Sequence, residues 1–284
     1  MAMRSESDPD FEKGRGTDGV DREHPLFVQS VARALDVLSA FHVAEHPLSL
    51  GELSEISGVG RSAVQRIVHT LRELGYLDRD PADTGYVPGL RILDHSRDFQ
   101  RFDPVIVRAT PVLLELRRTV RERVDLSLRD DLRLVYARRL LSKREILMST
   151  LVGQSVPLHA TSGGWAIMAG LSPDEVDDVL ARAPLRAVTP RTLTDPDEIR
   201  DMLATVRRQG YALASEQILL GEVAVGAAIR GRDGRPIAAI HVAGSLSEWE
   251  PDAFARHVAP HVMAAAAVVS QNLRDLGPGD LGQN

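Results

Sequence analysis

Residues 49–77 read SLGELSEISGVGRSAVQRIVHTLRELGYL, and how this stretch divides decides the fold of the first third of the chain. Ser49, followed three residues on by Glu52, is a capping-box pattern, so a helix starts just after it. Leu50, Leu53 and Ile56 are its apolar stripe, and Ser57-Gly58-Val59-Gly60 is a tight turn. A second helix follows, with Ala63, Val64, Ile67, Val68, Leu71 and Leu74 facing inward and Gly75 as its C-cap. Upstream, Val31, Ala34, Leu35, Val37, Leu38 and Phe41 recur at helical spacing, and that helix stops before Pro47. Downstream, residues 76–80 and 85–88 read as two short strands around a turn-rich 81–84. Three helices, the last two joined by a short turn, and then a hairpin: this is the order of a winged helix-turn-helix.

The third of these helices carries the chemistry. No acid falls between Glu55 and Glu73, whereas Arg61, Arg66, Arg72 and His69 do. Arg61, Ser62, Gln65 and Arg66 cluster at its amino end, off the apolar stripe. That end of a recognition helix approaches base edges in the major groove. Arginine bonds guanine bidentately, glutamine bonds adenine, and a serine hydroxyl suits a phosphate. The charge pattern alone is equally that of an amphipathic helix with a solvated polar face. In the hairpin, Asp78, Asp80 and Asp83 disfavour phosphate, and Arg79 is the one favourable charge.

Working outward, residues 1–24 are glycine and mixed charge with almost no apolar residue, and are expected to be a disordered tail without a signal peptide. Residues 90–102 read as a helical connector interrupted by Pro104, and residues 111–123 as an amphipathic helix. Then the period changes to two. Residues 124–128 and 132–137 form a hairpin, and residues 146–150 are a further strand candidate. Residues 161–169, 173–181 and 196–209 are helical; 211–214, 223–230 and 237–243 are strands; 251–273 is a long closing helix. The whole is expected to be a two-domain α/β chain. The parts are a winged helix-turn-helix over 25–89, a linker helix over 90–103, an α+β domain with an antiparallel sheet over 104–275, and a tail over 276–284.

Composition narrows the function. The chain of 284 residues is 43% hydrophobic and 26% charged, ordinary for a globular protein. It has no cysteine, which excludes disulfides, thiolate metal sites and a thiol nucleophile. The net charge of −6 does not advertise nucleic acid, so DNA binding has to be argued locally. No apolar run is long enough to span a membrane, and a cytoplasmic protein is expected.

Taken together the two halves resemble the IclR family of bacterial transcription regulators. In the first half the resemblance rests on residues 28–38, on Gly60-Arg61-Ser62-Ala63-Val64-Gln65-Arg66 and on Leu74-Gly75-Tyr76-Leu77. In the second it rests on residues 156–164, Gly210-Tyr211, Glu216, Gly221 and residues 225–229. The family pairs a winged helix-turn-helix with a GAF-like effector domain and acts as a homodimer or homotetramer on double-stranded operator DNA. The resemblance implies a ligand-responsive regulator, often of an adjacent catabolic operon. Arg61, Ser62, Gln65, Arg66 and Arg79 are then the DNA-binding positions. The alternative is a small-molecule sensor acting through protein contacts without DNA.

The resemblance also implies a small organic effector over the sheet, against the loop before the Ser162 helix. Met148, Ser162, Gly163, Glu222, Ala224, His241 and Ala243 are the matching positions. Glu222 and His241 are expected as its polar anchors, His241 charged if the two pair, for an effector with a polar or aromatic body. The helix amino end at Ser162 is expected to favour an anion. Ala63, Trp165, Ala224 and Ala228 depart from the family's usual residues and put carry-over of any particular effector in doubt. Two further constellations are weaker. His159 near Ser162 suggests nucleophilic catalysis, but no orienting carboxylate accompanies them. His257 and His261 lie one turn apart, but two histidines are too few for a metal site. No enzyme activity, metal or cofactor is expected.

Overall fold

The structure is a computed structural model that describes residues 21–141 and 152–275. Met148 and the strand candidate at 146–150 lie outside the described residues, as do residues 1–20 and 276–284 of the two expected tails. The chain forms two compact units divided between Phe99 and Gln100, within the stretch expected as a linker.

In the first unit, α1 (Gln29–Ser39) runs into a 3-10 turn (Ala40–Val43), followed by α2 (Leu50–Ser57) and α3 (Arg61–Glu73). The capping box forms as expected: Glu52 N–H donates to Ser49 Oγ, and Ser49 N–H to Glu52 Oε2. β1 (Leu77–Arg79) and β2 (Tyr86–Pro88) make the antiparallel wing, and Leu48 bridges to Tyr86 to extend it. Gly85 is needed there, because a Cβ would lie 2.8 Å from the Leu48 carbonyl oxygen. The core is Val37, Leu48, Leu53, Val64, Val68 and Leu77. Three residues expected inside are not: Val31, Leu35 and Leu74 are more than half exposed. The apolar stripe of α1 is wider than the surface α2 and α3 offer it, so its outer edge faces solvent. α4 (Arg91–Phe102) begins in this unit and also exposes Leu93 and Phe99.

In the second unit, α5 (Pro104–Val120) starts earlier than expected. Pro104 opens it instead of interrupting it, because Asp103 caps the Ile106 N–H and a proline at the first helical position needs no donor. Pro111 lies inside the helix on an exposed face. Six strands follow: β3 (Arg123–Asp130), β4 (Arg133–Leu140), β5 (Ser155–Pro157), β6 (Ala212–Ser215), β7 (Glu222–Arg230) and β8 (Pro236–Ser245). They form one antiparallel sheet in the order β5-β4-β3-β8-β7-β6. The period-two alternation of β3, β7 and β8 splits their side chains between two layers. Val124, Leu126, Val225, Ile240 and Val242 pack under α5 and the long α9 (Pro251–Arg274). The other face carries α6 (Ser162–Met168), α7 (Pro173–Arg182) and α8 (Pro196–Gln209). Among the described residues no helix is long and apolar enough to cross a membrane.

Candidate functional site

The amino end of α3 presents the expected reading face. Arg61, Ser62, Gln65 and Arg66 are all exposed, and their side chains hydrogen-bond to nothing among the described residues. Val64, Val68 and Leu71 on the opposite side are buried, so burial fixes which face turns outward. Arg79 is engaged differently. Its Nε lies 2.9 Å from Asp83, and its guanidinium sits 4.7 Å from the Tyr86 ring centre. It braces the wing, and a phosphate contact by Arg79 requires release from Asp83.

In the second unit, register builds the candidate effector cavity. Arg123, Ala243 and Ala224 lie side by side across β3, β8 and β7; Asp125, His241 and Gly226 form the next row, and Ser127, Ala239 and Ala228 the third. All nine side-chain positions face α6. The small residues make a shallow floor on which the start of α6 lies flat. A Cβ on Gly226 would come within 2.6 Å of the Ser162 carbonyl, and one on Gly163 would lie 2.1 Å from the His241 ring. Gly163 is therefore a contact between helix and sheet. The Gly164 N–H is taken by Thr161 Oγ1 at 2.9 Å, which caps α6 in place of a bound anion.

Ser162, Glu222, Ala224, His241 and Ala243, dispersed in sequence, line one cavity of about 20 Å³. Glu222 and His241 do not pair, so the condition for a charged His241 is not met. Glu222 accepts from Arg123 Nη2 at 2.5 Å, while His241 Nε2 is 2.5 Å from Ser127 Oγ. Burial, reinforced by Arg123 and Arg139, pushes the His241 pKa down to about 4, against the smaller upward pull of Asp125. His241 is thus neutral at pH 7.

Among the lining residues absent from the expected set are Arg123, Asp125 and Tyr136, and Asp125 ties the cavity to Arg139, which lies outside the lining. Asp125 is 1% exposed and accepts from Arg123 Nε at 3.0 Å and from Arg139 Nε at 2.8 Å. Burial lowers the pKa of Arg123, but Glu222 and then Asp125 outweigh it, and the guanidinium is held charged. Burial raises the Tyr136 hydroxyl, and Asp125 and Glu222 raise it further, so it stays protonated. The cluster is two cations and two anions with no net charge. Ser162 Oγ is buried at its edge with no hydrogen-bond partner among the described residues. The one sequence signal for the cluster was Asp125 and Ser127 at the polar positions of an alternating strand. A bulge hides the rest: Ser127 pairs with Tyr136 but Leu126 with Arg138, so Arg139 shares a face with Tyr136 three residues away.

The histidine at position 241 gives a pH prediction. Its folded pKa lies below the ordinary 6.5, so the unfolded chain takes up the proton first as pH falls. Stability from this group is complete above pH 6.5 and is lost towards pH 4, about 2 kcal/mol being gone by pH 5. Denaturant unfolding at pH 7 and pH 5 should show that loss in the wild type and not in His241→Asn. An equal loss in both assigns it to other groups.

The two weaker constellations are not brought together among the described residues. His159 Nε2 faces the Arg186 carbonyl at 3.2 Å, and no hydrogen bond joins it to Ser162 among the described residues. His257 stacks on Trp249, and no group of three metal-ligating side chains occurs among the described residues.

An exposed, arginine-bearing helix on one unit and a polar cavity against the sheet of the other fit a DNA-binding regulator with a sensor domain. The IclR helix-turn-helix model matches residues 30–81, and the model for the C-terminal domain of bacterial transcriptional regulators of the IclR type matches residues 101–271. The chain belongs to the IclR family of bacterial transcriptional regulators. It is 28% identical over 243 residues to the Pca regulon regulatory protein of Pseudomonas putida, covering 85% of this chain and 83% of that one. It is 31% identical over 204 residues to the transcriptional regulator Rv1719 of Mycobacterium tuberculosis, covering 72% and 78%. Among solved structures, an IclR homologue from Microbacterium hydrocarbonoxydans complexed with 4-hydroxybenzoate superposes with a TM-score of 0.72 at 25% identity, covering 87% of this chain and all of that one.

Proposed function

We propose that this regulator binds a pseudo-palindromic operator as a homodimer and releases or re-seats it when an aromatic carboxylic acid enters the cavity at Arg123. The observation that carries the effector reading is the part-buried Arg123–Glu222 pair beside the Ser162 hydroxyl, which has no partner among the described residues. An incoming carboxylate shares the Arg123 guanidinium with Glu222, and Ser162 Oγ donates to it. The ring then lies over Ala224 and Ala243, towards Tyr136. Glu222 alone would repel an acid; Glu222 already neutralised by Arg123 does not. The Microbacterium homologue complexed with 4-hydroxybenzoate supports an aromatic acid as the class. A catabolic operon beside the gene is the natural target of such a sensor.

A cavity of about 20 Å³ does not admit a ring, since a benzene-sized void is about 150 Å³. Binding therefore requires the start of α6 or the loop around Glu216 to lift from the sheet. The open and closed states differ in affinity for the effector, which is the condition for a ligand to shift the population. The outer edge of α1, with Val31 and Leu35, supplies an apolar surface for self-association. Two recognition helices then face successive major-groove half-sites roughly 34–36 Å apart.

The DNA half of the reading is tested on α3. Arg61→Ala and Arg66→Ala should each weaken specific operator binding by about 10-fold or more in fluorescence anisotropy, with a shallower salt dependence if the lost contact is to phosphate. Wild-type affinity in both variants removes α3 from the interface.

A further inference from the structure

A second cavity, of about 380 Å³, lies at the far end of β7 and shares no lining residue with the effector cavity. Three arginines surround it: Arg207 from the last turn of α8, Arg230 at the end of β7 and Arg274 at the end of α9. No carboxylate lines it among the described residues. Among the described residues the three guanidiniums bond only to neutral groups: Arg207 to the Ala169 carbonyl, Arg230 to the Gly234 carbonyl, and Arg274 to the Gln271 side chain. Elsewhere in the same unit Arg133, Arg182, Arg200 and Arg235 each pair with an acid. In a chain with 40 acids against 34 bases, three unneutralised arginines around one cavity call for a reason.

Part of the reason is local. α6, α8 and α9 all end here, and each carboxyl end carries about half a negative charge. Set against three positive charges, that leaves roughly one and a half unbalanced. Most of the remaining lining is small and apolar, including Ala166, Ala227, Ala228 and Ala266, with Met263; Ser270 is the polar exception. Arg230 lies across Gly170, where a Cβ would be 3.2 Å from Nη2, and this keeps its guanidinium at the cavity. The volume falls within the range of small-molecule sites.

We propose that this cavity is a second ligand site, for a small organic anion with a compact apolar body. The anionic group, a carboxylate or a phosphate ester, is held by Arg207 and Arg230, and the body rests on the alanine floor. β7 runs from this cavity to the effector cavity, with Ala228 and Arg230 at one end and Glu222 and Ala224 at the other.

The test is calorimetric titration of the full chain with benzoate, phenyl phosphate, inorganic phosphate and benzyl alcohol. It is run on the Ala224→Leu background, which fills the effector cavity, after a thermal melt has shown that the variant folds. Benzoate or phenyl phosphate should bind saturably, and whichever binds tighter names the anion. Benzyl alcohol and inorganic phosphate should each bind at least about 10-fold more weakly, lacking the charge or the body. Adding Arg207→Gln with Arg230→Gln, or Ala267→Phe at the rim, should weaken binding about 10-fold or more. On the wild-type background the same additions should remove one of two binding events, which keeps the test available if Ala224→Leu does not fold. Unchanged affinity in the cavity variants, equal binding of benzyl alcohol, or no saturable binding up to about 10 mM overturns the proposal. It does not depend on the effector assignment: loss of binding in Ala224→Leu alone points to the effector cavity instead.

Discussion

Asp125→Ala is expected to destabilise the sheet unit by about 3–5 kcal/mol, because it removes the shared partner of two buried guanidiniums. Arg139 has 5% of its side chain exposed and Arg123 11%, so neither regains much hydration when the carboxylate is lost. For a unit of this size the loss corresponds to a fall in melting temperature of roughly 6–20 °C. Glu222→Ala should cost less, since Glu222 lies nearer solvent and Arg123 keeps Asp125. Thermal melts of both variants followed by circular dichroism check the order. A larger loss in Glu222→Ala would mean that Glu222, and not Asp125, anchors the cluster.

Gly164→Ala should be more damaging still. A Cβ there would stand 1.8 Å from the Leu158 carbonyl oxygen and 2.7 Å from its carbon, both backbone atoms of the turn that feeds α6. A flexible side chain would yield; this turn does not, because Leu158 is buried and its N–H is bonded to the Leu132 carbonyl. The expected cost exceeds about 4 kcal/mol, the range of severe overpacking and strain. α6 should detach from the sheet, with Trp165 and Ile167 leaving the core. The readout is tryptophan fluorescence and protease sensitivity of the second unit. A native-like spectrum and melting temperature would show that the turn has more room than the structure gives it.

Much of this architecture was legible in the chain. The capping box at Ser49, the glycine ends of the helices and the period change after residue 123 located the winged helix, the sheet and most boundaries. Pro104 misled because a proline is read as a break unless the residue before it is recognised as a cap. Val31 and Leu35 misled because helical periodicity reports an apolar face without saying what covers it. Five of the residues named for the effector site do line one cavity, but their partners were hidden. Arg123, Asp125 and Arg139 look in sequence like the polar face of a half-solvated hairpin. Only strand pairing, and a bulge that moves one arginine across the sheet, turns them into a buried cluster. That cluster changes the electrostatics at Glu222: a lone carboxylate there repels acids, whereas one paired with Arg123 does not.

The most direct test of the account is operator affinity with and without an aromatic acid. Fluorescence anisotropy on the DNA upstream of the gene, titrated with 4-hydroxybenzoate and related ring carboxylates, should show salt-dependent specific binding whose apparent affinity shifts about 5-fold or more on adding one of them. The shift should vanish in Ser162→Ala combined with Ala224→Leu, while DNA binding without ligand is kept. Operator affinity that none of these acids changes, or a shift that survives in the double variant, would contradict the assignment of the cavity at Arg123 as the sensor.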